Sequence, residues 1–269
     1  MDSKEWISLA GLLLLGAAIL NLPVFVVRCR KAALCAQGLV WGGLAAMAVG
    51  FADRWQQYVQ AMNAAWYQAF PVASLYESVV FFVGAGVVLY LWLRKALLDG
   101  AGRSLYLLCG AAALLALNLS AVPERPAVFM PSLRSGWLIA HVSLSFVAYA
   151  MYGAAAFMGF SLMFKPQNAS RARWVRDLVA AATLVFTVGG LLFGAVWAHH
   201  SWGRFWAWDP KETWAFITWC AYLLLLHFDL RRTLSNRMLG LWAFLNFWIV
   251  LFTYFGVSLL FVGLHGYIA

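Results

Sequence analysis

The residues that could do chemistry are concentrated in positions 202–214, which read WGRFWAWDPKETW. Tryptophan offers a wide rigid face and an N–H donor at a wet boundary, and the charged side chains among the tryptophans could fix the polar substituents of a ligand. A lipid-facing helix does not need this mixture. It indicates a site for a flat hydrophobic molecule with charged edges, and the predicted binding residues are Trp202, Arg204, Trp206, Trp208, Asp209, Lys211, Glu212 and Trp214.

Histidine is the second residue type that could take part. Neutral imidazole is a common metal ligand and a common axial ligand of haem iron, and an ionisable group inside a membrane is costly enough to favour a functional role. The alternative is that each ring only hydrogen-bonds within a bundle or caps a helix end. The five histidines are His141, His199, His200, His227 and His265.

Composition indicates the kind of element that carries these residues. Of 269 residues, 64% are hydrophobic and 11% are charged, which leaves no surface for a soluble domain of this size. Apolar runs long enough to cross a bilayer recur along the chain. The predicted fold is an all-α polytopic membrane bundle of about eight transmembrane helices, forming a single membrane domain over 1–269. The predicted spans are 6–27, 33–52, 73–93, 104–122, 137–163, 176–196, 210–230 and 238–264.

The net charge of +9 indicates topology and not a nucleic-acid partner. Thirteen of the nineteen basic residues lie on alternate connections, after spans one, three, five and seven. The positive-inside rule then places both termini on the outer, periplasmic side. For so compact a chain we expect the bacterial inner (cytoplasmic) membrane. The thirteen are Arg28, Arg30, Lys31, Arg94, Lys95, Arg103, Lys165, Arg171, Arg173, Arg176, Arg231, Arg232 and Arg237.

The start of the seventh span can be placed closely. Asp209, Pro210 and Glu212 have the types and spacing of N-cap, N1 and N3 of a helix, which together form a capping box. Residues 197–214 are therefore predicted to form a Trp-rich outer segment between spans six and seven. His199 and His200 lie in its loop, where they could be lower-ranked ligands or structural contacts. Asp209 and Glu212 could serve only as caps, or could also face a ligand.

Depth in the membrane separates the remaining histidines. His141 lies near the outer start of the fifth span and His265 near the outer end of the eighth, so both are predicted at the level of the Trp-rich segment. His227 follows position 210 by 17 residues, which places it about 25 Å deeper at 1.5 Å per residue. His141 and His265 can therefore share an iron, whereas His227 cannot join them.

Three other outer features are predicted with less definite roles. Residues 53–72 are too polar to span and are expected along the interface. Residues 123–136, with three prolines, are expected to form an irregular loop. Glu77 lies in SLYES (74–78), where it could be interfacial or could contact the site or a neighbouring helix.

The sequence resembles a known family at these same positions. WGRFWAWDPKETWAFITW (202–219) resembles the tryptophan-rich "WWD" signature of haem-handling proteins in cytochrome c assembly, most closely the CcsA (ResC) family, with CcmC and CcmF as more distant relatives. Four further segments resemble family segments in the same order. They are SLYES (74–78), WLIAHVSLSFVAYA (137–150), LLLLHFDLR (223–231) and GLHGY (263–267).

The resemblance implies a function in cytochrome c biogenesis. Haem b would be the transported substrate, held outside by His141 and His265 beside the tryptophans for thioether attachment to a C-x-x-C-H apocytochrome c. His227 would mark an inner transit site. No histidine precedes His141 in the sequence. A second iron ligand for the inner site at His227 would therefore come from a CcsB (ResB)-type membrane subunit. A thioredoxin-like protein would keep the substrate thiols reduced.

Three functional classes remain open. The chain could be a subunit of a holocytochrome c synthase (haem lyase), although no triad-like nucleophile and base are apparent. It could instead be a non-catalytic haem export or delivery module of the CcmC kind. A b-type electron-transfer protein would need paired histidines on the same helices near both faces, and the sequence has no such pairs.

Overall fold

The fold was examined in a computed structural model that describes residues 1–27, 30–72, 74–97, 100–119 and 129–265. These residues form α-helices joined by short turns, and no β-strand occurs in the ranges given. The helices are α1 (Ser3–Val27), α2 (Arg30–Met62), α3 (Leu75–Leu97), α4 (Gly100–Leu119), α5 (Gly136–Phe164), α6 (Ala169–Phe186), α7 (Gly194–Trp202), α8 (Pro210–Leu230), α9 (Asn236–Leu251) and α10 (Val257–Leu260).

The architecture is that of a polytopic helical membrane protein, as predicted. Within the described ranges, seven helical stretches are long and apolar enough to cross a membrane, and α4 contains a shorter apolar helix, Gly102–Leu117. That helix corresponds to the predicted span 104–122. The sidedness of the termini stays a prediction. Arg28 and residues 120–128, which include most of the predicted Pro-rich loop, lie outside the described residues.

Two predicted boundaries were wrong. The second span was expected to end at 52, but α2 continues to Met62. Arg54 and Tyr58, in this continuation, are buried on the side of α2 that contacts α3. The sixth span was expected to end at 196. Instead α6 runs through a π-helical turn (Thr187–Phe193) into α7, which ends where Gly203 adopts φ 75° and donates its N–H to His199 O. His199 and His200 therefore lie in the last turn of α7 and not in a loop.

The chain forms two compact units, Met1–Met130 and Pro131–Ala269. In the first, α1 packs against α2 and α4, and a buried ion pair joins α2 to α3. Arg54 Nε lies 3.0 Å from Glu77 Oε1, and the two side chains are 5% and 1% exposed. The Tyr58 hydroxyl donates to the same oxygen at 3.2 Å. Glu77 therefore contacts a neighbouring helix, which is one of the two roles considered for it.

In the second unit α5 is the central helix, packed against α6 and α9. The crossing of α5 and α9 depends on two glycines: a Cβ atom at Gly159 would lie 2.7 Å from Gly240 O, and one at Gly240 would collide with Gly159 O. Small residues let helix backbones approach this closely in membranes. The largest buried side chains of this unit include Tyr152, Trp197 and Tyr222.

Replacing Gly240 by alanine tests the close crossing of α5 and α9. Gly240→Ala is expected to cost about 1–3 kcal/mol, because the added methyl group forces two backbones apart. Thermal unfolding in detergent measures the change. Gly38→Ala is the control, since a Cβ at that position meets nothing within 4 Å. Equal unfolding temperatures for the two variants would contradict the packing described.

A double-mutant cycle tests the buried ion pair. Arg54→Met and Glu77→Leu are each expected to destabilise the protein by about 3–5 kcal/mol, because each leaves an uncompensated buried charge, whereas the double variant should recover most of that loss. The readout is again unfolding in detergent. Arg173→Met removes an exposed arginine as a control and should change stability by less than about 0.5 kcal/mol. Additive single effects would show that the pair is not coupled.

Candidate functional site

The start of α8 organises the Trp-rich segment. Asp209 is the N-cap, with Oδ2 accepting from Lys211 N at 3.1 Å, while Glu212 Oε2 accepts from Asp209 N at 3.3 Å. The predicted capping box and the start of the helix at Pro210 are confirmed. Glu212 Oε2 also accepts from Ala207 N at 2.7 Å, so one carboxylate fixes the backbone from 207 to 209.

This fixation holds Trp208 in a left-handed backbone conformation, with φ 56°. That conformation costs an L-residue about 1–2 kcal/mol, and it persists only where the surroundings determine it. Here the surroundings are the two hydrogen bonds that Glu212 accepts from Ala207 N and Asp209 N, on either side of Trp208. As a result the Trp208 indole projects outward and is 67% exposed.

Asp209 also binds the segment that follows α10. Its Oδ1 accepts from Leu264 N at 2.6 Å, and its Oδ2 lies 2.7 Å from His265 Nδ1. Gly263 permits this approach, because a Cβ there would collide with Asp209 Oδ1. Burial raises the pKa of the Asp209 carboxyl, but the His265 ring and two backbone N–H groups lower it by more. The net pKa lies below its ordinary value, which keeps the carboxylate charged at neutral pH.

His141 is held by the π-helical turn. Its Nδ1 lies 2.9 Å from Gly189 O, and a Cβ at Gly194 would be 2.8 Å from its Cε1. A Cβ at Gly189 would collide with Leu144 on the neighbouring turn of α5. The ring therefore fits because positions 189 and 194 have no side chains. π-Helical turns of this kind occur frequently at functional sites.

Trp197 connects the two predicted ligands. It is 1% exposed, and its Nε1 donates to Ser132 O at 2.9 Å. Its ring centroid lies 6.1 Å from that of His141, with planes 7° apart, and 5.7 Å from that of His265. Trp197 lies inside the predicted Trp-rich segment 197–214, but it was not among the predicted binding residues.

His141 and His265 both use Nδ1 for a hydrogen bond within the protein. Gly189 O and the Asp209 carboxylate are both acceptors, so each Nδ1 carries a hydrogen and, in a neutral ring, the lone pair is on Nε2. Two such nitrogens are the axial donor set of a haem iron. His141 and His265 therefore fit the predicted ligand chemistry, and both contact one aromatic side chain.

The four predicted tryptophans fall into three groups and do not form one surface. Trp202 contacts His265 and Trp197, with centroids 4.9 Å apart in each case. Trp206 and Trp208 pack against each other and against Phe216, with centroids 5.8–6.4 Å apart. Trp214 packs on Phe252 at 4.4 Å, in a second π-helical turn (Phe252–Gly256) that joins α9 to α10. Trp202 is thus the predicted tryptophan placed beside an imidazole of the pair.

The two predicted cations, Lys211 and Arg204, have different surroundings. Lys211 Nζ lies 5.2 Å from the centroid of Tyr254 and next to Asp209. A small pocket lies beside it, lined by Asp209, Lys211, Ser258, Phe261, Gly263 and His265. Arg204 is exposed in the link between α7 and α8.

The other histidines make different contacts. His199 stacks on Phe205 at 4.3 Å, and His200 is parallel to Trp137 at 6.4 Å. His227 is exposed in the last turn of α8. Because α8 is continuous from Pro210 to Leu230, His227 lies about 25 Å along its axis from the capping box. The helix bounds therefore keep His227 apart from the other two predicted ligands.

Comparisons with known proteins identify the family of this chain. The family model described as "Cytochrome C assembly protein" matches residues 72–265. "Cytochrome c biogenesis protein CcsA" of Prochlorococcus marinus (strain MIT 9303) is 31% identical over 249 residues, covering 75% of this chain and 77% of that protein. The protein of the same name from Helianthus annuus is 30% identical over 251 residues, covering 74% and 77%.

A solved structure shares the fold. "Cytochrome c Heme Lyase CcmF" matches with a TM-score of 0.69 at 19% identity, covering 96% of this chain and 46% of that one. At this identity the likeness concerns the fold alone, and the sequence matches carry the assignment to a family. The resemblance to the CcsA family is confirmed, and the chain belongs to the cytochrome c assembly protein family.

Proposed function

We propose that this protein carries haem b across the membrane and presents it on the outer face to a C-x-x-C-H apocytochrome c, as the CcsA-type subunit of a cytochrome c synthase. Membership of the family means that the protein acts in cytochrome c biogenesis. The observation that carries the finer proposal is the pairing of His141 and His265 against Trp197, with both Nδ1 atoms already hydrogen-bonded.

Each group near the pair has a part in holding haem. The Nε2 atoms of His141 and His265 would bind the iron, and the indoles of Trp197 and Trp202 would line the porphyrin edge. Lys211 and Arg204 are the cations available to the propionate carboxylates, since a buried anion needs a charged or hydrogen-bonding partner. Trp206, Trp208 and Trp214 would complete the aromatic boundary of the site, and Asp209 and Glu212 would hold its backbone.

The chemistry needs positioning more than it needs a catalytic acid or base. Each cysteine thiol adds across a vinyl double bond: the sulfur forms a bond to one carbon and the hydrogen goes to the other, with no net oxidation. Holding reacting groups in attack geometry can supply about 7–11 kcal/mol of a barrier. The imidazoles of His141 and His265 would hold haem in place while the peptide approaches.

The exposure of His227 favours a partner subunit bound to the inner half of α8. His227 is exposed beside Leu223, Leu224 and Phe228, which are also exposed. An imidazole facing lipid is costly, so a second membrane protein on this face would both cover the ring and supply another ligand for transit haem. We assign this place to a CcsB (ResB)-type subunit in the bacterial inner membrane. A thioredoxin-like protein would keep the apocytochrome thiols reduced on the periplasmic side.

Removing either outer ligand tests the site. His141→Ala and His265→Ala should each lower haem retained by purified protein at least about tenfold, since loss of even a supporting partner can cost that much. The visible spectrum measures retention, and added imidazole should restore it. His199→Ala, on the nearby helix α7, is the matched control and should resemble the parent. Parent-like spectra in both ligand variants would refute the assignment.

Reconstitution distinguishes a synthase from a delivery module. The chain with a CcsB-type partner and a reduced apocytochrome should yield haem that stays attached after denaturation, and the chain without the partner should yield little. His227→Ala should lower that yield while leaving haem supplied from outside bound normally. An apocytochrome with both cysteines replaced by serine is the control. Transfer without covalent attachment, in the presence of the partner, would favour the delivery reading.

A further inference from the structure

The two proposed ligands are held in mechanically different ways. His141 lies on α5, a helix of 29 residues, and its ring is enclosed by Trp197 on one face and by the backbone at Gly194. His265 lies beyond the end of α10, in a segment without helical structure. Contacts with the Asp209 carboxylate hold this segment, through Leu264 N and His265 Nδ1.

Ligand exchange needs space as well as a bond that can break. Around His141 a single added methyl group at Gly194 would overlap the ring, so the imidazole cannot swing aside without movement of α5 or α7. His265 borders the small pocket lined also by Lys211, Ser258 and Phe261. Because His265 lies in the non-helical segment beyond α10, its ring can move together with that short segment, whereas His141 is fixed to a long helix.

From this asymmetry, and on the basis of the function proposed above, we infer that His265 is the ligand replaced by the histidine of the incoming C-x-x-C-H segment, with Asp209 as its positioning residue. In the exchange the bond from iron to His265 Nε2 breaks and a bond from iron to the substrate imidazole forms. The hydrogen on His265 Nδ1 stays shared with Asp209, and no electron is transferred. His141 remains bound throughout.

The Asp209 carboxylate opposes the release of His265 from the iron. A carboxylate partner raises the basicity of an imidazole ligand more than the neutral Gly189 carbonyl does, so Asp209 strengthens the bond of the ligand that must leave. Bond strength alone does not select the leaving ligand, because a ring fixed on a rigid helix rebinds at high effective concentration. Asp209 thus slows the loss of His265 until a histidine on the substrate competes for the iron.

Peptide exchange on the haem-loaded full chain with its partner subunit tests this assignment. The probe is a synthetic peptide of the C-x-x-C-H type with both cysteines replaced by alanine, which can ligate iron but cannot form thioethers. Stopped-flow absorbance follows its binding. Asp209→Asn should exchange roughly tenfold faster than the parent and raise the midpoint reduction potential of the haem. Asparagine is also a good N-cap, so α8 keeps its start.

The ligand variants give opposite expectations. His265→Ala should bind the peptide more tightly, because no protein ligand competes, whereas His141→Ala should not gain affinity. Gly263→Ala, which presses on Asp209 Oδ1 without removing the carboxylate, should speed exchange as Asp209→Asn does. Asp177→Asn, an exposed acid on α6, is the matched control and should leave both rate and potential unchanged.

Two outcomes would overturn the inference. A gain of peptide affinity in His141→Ala and not in His265→Ala would identify His141 as the leaving ligand. Unchanged exchange and potential in Asp209→Asn would remove its positioning role. Neither outcome resembles a failure of the proposed function, in which both ligand variants would retain haem with the parent spectrum.

Discussion

The region of the second unit where α8 begins depends on the carboxylate of Asp209. This buried group accepts hydrogen bonds from Lys211 N, Leu264 N and the His265 ring, and it begins α8 at the same time. A buried charge is tolerated only when it is paired or hydrogen-bonded, so these contacts require one another. The start of one helix and the position of a residue 56 places along the chain are thereby fixed by a single side chain.

Glycine makes the remaining contacts possible. Gly194 admits the His141 ring, Gly263 admits the Asp209 oxygen, and Gly159 with Gly240 brings α5 against α9. In a membrane, helices gain little from the hydrophobic effect on meeting each other, so close van der Waals packing at small residues contributes much of their association. Glycines thus allow the close helix packing that stabilises the bundle and also leave room for the side chains around the candidate ligands.

The sequence was informative where local chemistry decides the structure. Hydropathy identified the spans, and Asp209 with Glu212 marked the start of α8. Local chemistry did not identify Trp197, because a buried tryptophan and a lipid-facing one look alike in an apolar run. Nor did it indicate that Gly189 O would meet His141, since that contact depends on a π-helical turn and on how α5 crosses it. The continuation of α2 to Met62 was hidden by polar residues that are helical but lie beyond the apolar run.

Trp197 makes the positions of the two imidazoles interdependent. Its ring contacts both, and its N–H is bonded to Ser132 O, just before α5 begins. A large rigid side chain in a close-packed interior cannot shift without displacing its neighbours. Movement of the His265 ring therefore acts on the same indole that supports His141, and that indole is in turn anchored at the start of the helix carrying His141. Two candidate ligands that are 124 residues apart in sequence are in this way made parts of one packed cluster.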